Sequence, residues 1–333
     1  MIKITIKYIL VILIINLIYN SFYSMPVHAK KIKKRASSAV RIKPQTPGIK
    51  SAAALAITLD DNQVLFSKNA FDQRSIASLT KLMAVLVLVD LKIDWNTVYT
   101  IPHYVFKPYY KTRLKPGLQF TAIDLLHSAL LGSDNVAVHC LVEVSGLPES
   151  HFVQLMNNYA KRLNLHSTRF SDPTGYDENN VSTTYEISII MRKVLEDPFL
   201  SKIVKTKYMT IRALNAYYSI DYVNTNRLLL DPRKKTLGGK TGFINEAGYC
   251  LVTTNKLDCG KDVIMVFLGA NGKLTRFADA NRMYDWLNKQ SWSFQQEYSS
   301  VKADNKIIND KTNSFNLTDT PNQVNNFNYY NRY

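Results

Sequence analysis

Ser78-Leu79-Thr80-Lys81, followed at once by the apolar run Leu82–Val89, is the stretch around which the rest of the chain can be organised. The run is apolar on every face of a helix, so a helix within residues 75–92 is predicted to be buried. On that helix a hydroxyl and an amine three residues apart lie on one face, one turn apart. A serine needs a neighbouring base to become a nucleophile, and burial favours the neutral lysine that can serve as one. The stretch therefore predicts a buried helix and an activated serine.

The same Ser-x-x-Lys spacing occurs a second time, at Ser299–Lys302 near the C-terminus. This copy lies in a polar stretch and has no apolar run behind it, so we interpret it as a chance match. The motif by itself therefore does not identify an enzyme. Its meaning depends on what the rest of the chain places near it.

The first 29 residues have the features of a secretory signal. Lysines stand at the start, an apolar core of about 12 residues (Tyr8–Tyr19) follows, and a small-residue cleavage site precedes Lys30. The apolar core is short for a membrane span of about 20 residues, and an uncleaved N-terminal anchor is the alternative. Both interpretations place the rest of the chain outside the cytoplasm, in the periplasm or cell envelope.

The net charge of +16 is carried mainly by the N-terminal segment. Residues 1–50 hold ten Lys or Arg and no acidic residue, so the remainder carries only about +6. Residues 30–50 are predicted to be a solvated basic linker, with peripheral attraction to anionic cell-envelope polymers or lipid headgroups as an alternative. No aromatic or helical readout element accompanies these charges, so nucleic-acid binding is not expected. Residues 51–295 are predicted to be the main domain, and residues 296–333, polar and rich in Asn, a disordered tail.

The usage of cysteine and histidine argues against a disulfide scaffold and against a zinc peptidase. The three cysteines cannot all pair within one chain. Cys140 is predicted to lie in the core, and a Cys250–Cys259 disulfide across a hairpin is left open. The six histidines are scattered, without His-Glu-x-x-His spacing. No metal or cofactor is therefore expected.

The pattern along the chain predicts an α+β domain. Strands rich in β-branched and aromatic residues are predicted at residues 54–59, 63–66, 207–211, 237–243, 248–254 and 263–268. Helices are predicted at residues 122–131, 135–144, 152–163, 184–195 and 278–289. Strands near both ends would share one antiparallel sheet, and the helical region inserted between them would leave a cleft at the junction, a usual place for a site.

Two further motifs can direct polar groups into that cleft. Ser133-Asp134-Asn135 lies in a short loop between two predicted helices, and the alternative is that Ser133 only caps the following helix. Lys240-Thr241-Gly242 occurs once, on a predicted strand, where it can present a cation, a donor and close backbone access to an extended ligand. The alternative for this motif is an exposed strand edge protected by its lysine.

In the order Ser-x-x-Lys, Ser-x-Asn, Lys-Thr-Gly, with gaps of 55 and 107 residues, the three motifs resemble those of the penicillin-recognising serine acyl enzymes. These include the low-molecular-mass penicillin-binding DD-peptidases and the serine β-lactamases. Ser75–Met83 resembles the first motif of the D-alanyl-D-alanine carboxypeptidases of peptidase family S11, and Phe170–Thr184 resembles their mid-chain loop. Asn224–Val252 is similar to the branch that includes DD-endopeptidases. The resemblance covers roughly residues 50–290.

The resemblance implies a fold and a reaction. The fold is a five-stranded antiparallel sheet flanked by helices, with an inserted helical region. The reaction is hydrolysis of D-alanyl bonds in peptidoglycan stem peptides through an acyl-enzyme, during cell-wall remodelling, with β-lactam antibiotics as inhibitors. The residues implied are the nucleophile Ser78, the base Lys81, the proton relay Ser133, and the substrate-binding residues Asn135, Lys240, Thr241, Gly242 and Phe243.

Two positions depart from the pattern of the relatives. Gly132 stands where many of them have a second serine, and Thr225 stands where many carboxypeptidases have a basic residue. Loss of that basic residue weakens the expected grip on a free terminal carboxylate and favours endopeptidase cleavage of cross-links over carboxypeptidase trimming. Two alternatives remain open: a serine β-lactamase in which Glu178 activates water, and a non-catalytic peptidoglycan-binding protein.

Overall fold

The structure is a computed structural model that describes residues 46–290. The predicted signal segment 1–29, nearly all of the predicted linker 30–50 and the predicted tail 296–333 lie outside the described residues. Between residues 46 and 290, no helix has both the length and the apolarity that crossing a bilayer requires.

The secondary structure of the described residues mixes strands and helices along the chain. The strands are β1 (Ala53–Thr58), β2 (Val64–Lys68), β3 (Arg74–Ser75), β4 (Val98–Thr100), β5 (Gln119–Thr121), β6 (Val181–Ser182), β7 (Tyr208–Arg212), β8 (Ser219–Val223), β9 (Thr236–Ile244), β10 (Gly248–Lys256) and β11 (Asp262–Ala270). The helices are α1 (Lys81–Asp90), α2 (Ala122–Leu131), α3 (Asn135–Val144), α4 (Glu149–Arg162), α5 (Thr184–Glu196), α6 (Pro198–Lys205) and α7 (275–290).

Five of the strands form one antiparallel sheet in the order β2-β1-β11-β10-β9. The pairing of β1 with β11 joins the N-terminal hairpin to the C-terminal strands, so the predicted α+β fold with a five-stranded antiparallel sheet is confirmed. The order leaves β9, which carries the Lys-Thr-Gly motif, at one edge of the sheet. An edge strand has free backbone groups that an extended ligand can use.

The sheet is covered by helices on both faces. Because side chains alternate along a strand, Ala53, Leu55 and Ile57 of β1 join the core beneath the inserted helices, while Ala54 and Ala56 join a second core under α7. All six residues of β1 are therefore buried, which explains why its first five, Ala53–Ile57, form a continuous apolar run. On the helical side, α1 packs against α4 and α5, and α5 in turn packs on β11.

The predicted helix at the first motif is shorter than expected. Residues 77–80 form a 3₁₀ turn, and the α-helix begins only at Lys81. The break arises because Ala77 has a φ of +48°, a left-handed conformation through which an α-helix cannot run. Residues three apart in a 3₁₀ turn are eclipsed, so Ser78 and Lys81 still share one face. The turn packs against β9 and thereby sets Ser78 beside the edge of the sheet.

The cysteine prediction is resolved by the positions of the strands. Cys140 is buried in the core, as predicted, and all three cysteines are free. Cys250 pairs with Gly242 near the start of β10, whereas Cys259 lies in the turn after the strand has ended. Six or more extended residues separate them by roughly 20 Å, and a disulfide needs Cα atoms within about 7 Å. The Cys250–Cys259 disulfide that the sequence left open therefore does not form.

Candidate active site

The amine of Lys81 lies at the centre of the candidate site. Its side chain is fully buried, and Nζ is 2.9 Å from Ser78 Oγ, 2.6 Å from Asn135 Oδ1 and 2.7 Å from the carbonyl oxygen of Thr174. Three separate parts of the chain supply these partners, namely the 3₁₀ turn, the start of α3 and the loop before β6. The structure thus brings the predicted Ser78, Lys81 and Asn135 into direct contact and adds Thr174, which the sequence did not single out.

The partners of Lys81 serve both charge states of its amine. Nζ donates to Ser78 Oγ, to Asn135 Oδ1 and to the carbonyl oxygen of Thr174. The oxygens of Asn135 and Thr174 can only accept, whereas a hydroxyl can also donate, so loss of one proton leaves the lone pair facing Ser78. Burial lowers the pKa of Lys81 to about 7, against the opposing charges of Asp172 and Asp134. Near neutral pH a large fraction of this lysine is therefore able to take the proton of Ser78.

The loop 172–180 sets the carbonyl of Thr174. The carboxylate of Asp172 accepts hydrogen bonds from the backbone N–H groups of Thr174, Gly175 and Asp177 and from the side chain of Asn180. Burial raises the pKa of Asp172, but these hydrogen bonds outweigh it and the pKa is lowered overall. Gly175 has a φ of +80°, and a Cβ there would lie 2.0 Å from the carbonyl oxygen of Ala77. The loop therefore passes against the turn that carries the serine only because this residue is glycine.

Ser133 is not the cap of α3. The capping residue is Asp134, whose side chain accepts from the backbone N–H of Ala137 at 3.2 Å, so the capping alternative for Ser133 is wrong. Ser133 itself has a φ of +60°, and its Oγ accepts a hydrogen bond of 2.6 Å from Lys240 Nζ. The second and third motifs therefore meet across the cleft, although they are 107 residues apart.

Lys240 is a buried lysine rather than a solvated edge residue. It is 1% exposed and also donates to the carbonyl of Thr241 at 2.9 Å, so the alternative of a protective edge lysine is wrong. Burial lowers the pKa of Lys240 well below its ordinary value, and the nearby cations Lys81 and Arg276 add to that shift. Two lysines with lowered pKa values, Lys81 and Lys240, are thus hydrogen-bonded to the hydroxyls of Ser78 and Ser133.

The glycine at position 132, predicted to depart from the family pattern, is explained by a neighbouring ring. A Cβ at this position would lie 2.4 Å from Cε1 of Tyr222, and the hydroxyl of that buried tyrosine is held by Ser128 Oγ at 2.5 Å. Tyr222 therefore fills the space that a serine side chain would need. Tyr222 lies on β8, the second strand of the β7–β8 hairpin, and this strand was not predicted.

Replacing Gly132 by Ser is expected to lower the free energy of unfolding by about 1–3 kcal/mol, because the new side chain must displace the Tyr222 ring. Denaturant unfolding of the two proteins measures this. The cost should shrink in a Tyr222→Leu background, where the ring is gone. An equal cost in both backgrounds would contradict the steric explanation.

The edge of β9 carries two neutral hydroxyls and one buried cation. Thr241 Oγ1 donates to Thr225 Oγ1 at 2.7 Å, so the neutral residue at position 225 is part of the site. Arg276 of α7 is 6% exposed and donates through Nη1 to the carbonyls of Gly242 and Cys250 at 2.7 and 3.0 Å. Burial lowers its pKa to about 10, so it stays positively charged at neutral pH. Arg276 was not predicted, because only the packing of α7 against the sheet brings it to the carbonyls of β9 and β10.

The cleft around Ser78 has a volume of about 690 Å³ and includes the predicted Ser133, Asn135, Thr241, Gly242 and Phe243 in its lining. Two stacked aromatic pairs border it. Tyr109 and Tyr176, here called the aromatic wall, have ring centroids 4.4 Å apart on the loop side, and Phe243 and Tyr249 have centroids 4.2 Å apart on the sheet side. The aromatic wall was not predicted, because its two residues are 67 positions apart in the sequence.

Comparison with known proteins supports the motif assignment. A family model described as D-alanyl-D-alanine carboxypeptidase, Peptidase_S11, matches residues 40–272. A D-alanyl-D-alanine endopeptidase of Escherichia coli K12 is 30% identical over 79% of this chain and 84% of its own length, and one of Pseudomonas aeruginosa is 33% identical over 73% and 79%. The crystal structure of the Streptomyces K15 DD-transpeptidase has a TM-score of 0.69 at 26% identity, covering 73% of this chain and 98% of that one. All three motifs lie within the matched residues.

Proposed function

The chain belongs to the D-alanyl-D-alanine carboxypeptidase family, peptidase family S11, and is a serine peptidase of that family; from this premise we propose that it cleaves D-alanyl bonds of peptidoglycan stem peptides through an acyl-enzyme on Ser78. The observation that carries the proposal is the Lys81 amine, fully buried and 2.9 Å from Ser78 Oγ, with its other two partners able only to accept. Of these three partners Ser78 is the one that can also donate, so its proton is the one that the neutral amine can take.

In the first step Ser78 Oγ attacks the carbonyl of a D-Ala–X bond while its proton passes to Lys81. The backbone N–H groups of Ser78 and Phe243 hold the oxyanion that forms. The close approach of β9 supports this pairing, since a Cβ on Gly242 would lie 3.0 Å from the backbone nitrogen of Ser78. A side chain at Gly242 would therefore push the strand away from the nucleophile.

In the second part of acylation the C–N bond breaks and the leaving amine needs a proton. Ser133, held by Lys240 at 2.6 Å, relays to it the proton that Lys81 accepted. Asn135 orients the substrate amide, Thr241 binds the substrate at the strand edge, and Lys240 keeps the site electropositive. Water then attacks the ester carbonyl, releases the product and restores the hydroxyl of Ser78. β-Lactams acylate the same serine and leave slowly.

We favour cleavage of cross-links, the endopeptidase reaction, with carboxypeptidase trimming as a second activity of the same site. Relatives named D-alanyl-D-alanine endopeptidase match most of the chain, and Thr225 offers no charge to a free terminal carboxylate. Digestion of purified muropeptides tests this: conversion of cross-linked dimers to monomers is expected to be faster than trimming of pentapeptides to tetrapeptides. Trimming of pentapeptides without loss of dimers would reverse the assignment. If neither reaction occurs, the result favours the non-catalytic alternative.

The β-lactamase alternative has less support. Glu178 lines the cleft but is exposed, and among residues 46–290 it has no hydrogen-bond partner to orient it for water activation. We also propose that residues 1–29 direct export and that residues 51–295 form the peptidase domain, since the substrate lies outside the cytoplasm. The basic residues 30–50 would then add a peripheral attraction to the envelope.

A further inference from the structure

A chain of hydrogen bonds outside the catalytic groups joins three elements that are distant in sequence. Glu149, the first residue of α4, places Oε2 2.7 Å from Nδ1 of His139 on α3. The other ring nitrogen, Nε2, is 2.9 Å from the hydroxyl of Tyr110, in the segment between β4 and β5. His139 is 8% exposed. No step of the proposed reaction uses these three residues.

The carboxylate fixes one end of the chain. A carboxylate can only accept, so Nδ1 of His139 carries the hydrogen that Glu149 accepts. The other ring nitrogen, Nε2, shares a hydrogen bond of 2.9 Å with the hydroxyl of Tyr110. The Tyr110 ring also stacks on the imidazole, with centroids 5.4 Å apart and planes 22° apart. His139 therefore sets the orientation of Tyr110 through two contacts, one with its hydroxyl and one with the face of its ring.

Tyr110 in turn supports the aromatic wall. Its ring lies edge-on to Tyr109 at 5.1 Å and to Tyr176 at 5.5 Å, and those two rings stack on each other. Tyr176 belongs to the loop 172–180, whose Thr174 carbonyl holds Lys81. Tyr110 thus connects the wall to the loop 172–180 on one side and to the His139–Glu149 pair on the other.

The wall faces the half of the substrate that stays on the enzyme. A leaving group that carries a carboxylate is attracted to the buried cation at the β9 side of the cleft, Arg276. The acyl half then points toward the opposite side, where the wall lies. Tyr109 and Tyr176 are 49% and 40% exposed, so their surface is available to a ligand. A flat apolar group gains from contact with such rings.

We propose that the aromatic wall is a specificity-determining surface for flat, apolar side chains on the acyl half of a substrate or β-lactam, and that Tyr110, His139 and Glu149 are its positioning residues. The proposal rests on the proposed function, since the acyl half is defined by attack of Ser78. It assigns a role in substrate choice to three residues that lie outside the three motifs.

Two β-lactams separate the wall from the reaction itself. Benzylpenicillin has a phenylacetyl side chain on its acyl half, and 6-aminopenicillanic acid has the same bicyclic nucleus without that side chain. Tyr176→Ala is expected to lower the second-order acylation rate constant of the full-length protein for benzylpenicillin about tenfold. It should change the rate constant for 6-aminopenicillanic acid less than about twofold, because that compound makes no contact with the wall.

The positioning chain is tested with milder substitutions. Tyr110→Phe keeps the ring but loses the hydroxyl, and His139→Ala loses the partner of that hydroxyl, so each should lower acylation by benzylpenicillin several-fold. The double variant should be no worse than His139→Ala alone. Glu149→Gln keeps an acceptor oxygen and should restore most of the rate that Glu149→Ala loses. Tyr104→Phe is the matched control, since this exposed tyrosine of the same segment bonds Glu143 instead.

Three outcomes are distinguishable. A selective loss with benzylpenicillin supports the proposal. An equal loss with both compounds, or no loss with either, overturns it, because the residues would then act on the fold or not at all. A parent protein that neither compound acylates contradicts the proposed function, and the wall proposal falls with it. Tyr110→Phe leaves the packing intact, so its effect on the two acylation rate constants tests the positioning role even if His139→Ala lowers stability.

Discussion

Replacing Ser78 by Ala is expected to lower hydrolysis of a cross-linked muropeptide dimer by about 10⁵-fold or more. The loss is large because the acyl-enzyme cannot form. Without the nucleophile, the groups that assist its attack contribute little to the rate. The measurement is the rate of monomer release, followed by chromatography at several enzyme concentrations. Covalent labelling by a fluorescent penicillin should disappear in the same variant.

The chain contains its own matched control for that experiment. Ser299 begins the second Ser-x-x-Lys stretch, so Ser299→Ala removes a hydroxyl with the same spacing to a lysine. This variant should turn over the dimer and take up penicillin as the parent does. If Ser78→Ala were labelled as well as the parent, or if Ser299→Ala lost its labelling, the assignment of the nucleophile would be wrong.

Replacing Lys81 by Met is expected to lower the acylation rate by about 10²–10⁴-fold, the usual contribution of a positioned general base. In the parent the rate should rise with pH through about 7 and then level off, because the pKa of Lys81 is about 7 and only its deprotonated form can take the proton. Below that pH the rate should fall about tenfold per pH unit. Penicillin acylation measured between pH 5 and 9 gives both quantities.

The Lys81→Met variant should lose the rise near pH 7 as well as the rate. Methionine fills a similar volume, and removing a buried charge costs little when an apolar chain replaces it, so the variant should fold. Lys161→Met, an exposed lysine on α4, is the control and should keep the parental profile. A pH profile that stays the same in Lys81→Met would show that another group titrates.

The architecture was accessible from the sequence because its signals are local. The apolar run Leu82–Val89 predicted a buried helix, and the strands β10 and β11 stand out as segments rich in β-branched and aromatic residues between turns. The three motifs were separated from chance matches by their order and by the elements they lie on. The helix boundary at the first motif was wrong because Ala77 adopts a positive φ that its identity does not suggest.

The remaining features of the site depend on contacts between distant residues. Arg276 reaches the cleft only because α7 packs under β10 and β9, and Gly132 is explained only by the ring of Tyr222. The hydrogen bond from Lys240 to Ser133 joins a buried amine to a hydroxyl of the cleft, which neither alternative, a cap at Ser133 or an exposed edge lysine at Lys240, had described. No periodicity or spacing contains this information, because it arises when the inserted helices close on the sheet.

The most direct test of the account is to locate the covalent adduct. Trypsin should release Ser75–Lys81 as one peptide, because Arg74 and Lys81 bound it, and the peptide contains both Ser75 and Ser78. After incubation of the full-length protein with benzylpenicillin, fragmentation mass spectrometry of this peptide is expected to place the penicilloyl group on Ser78. An adduct on Ser75, on Ser133 or on the peptide that contains Ser299, or no adduct at all, would contradict the account.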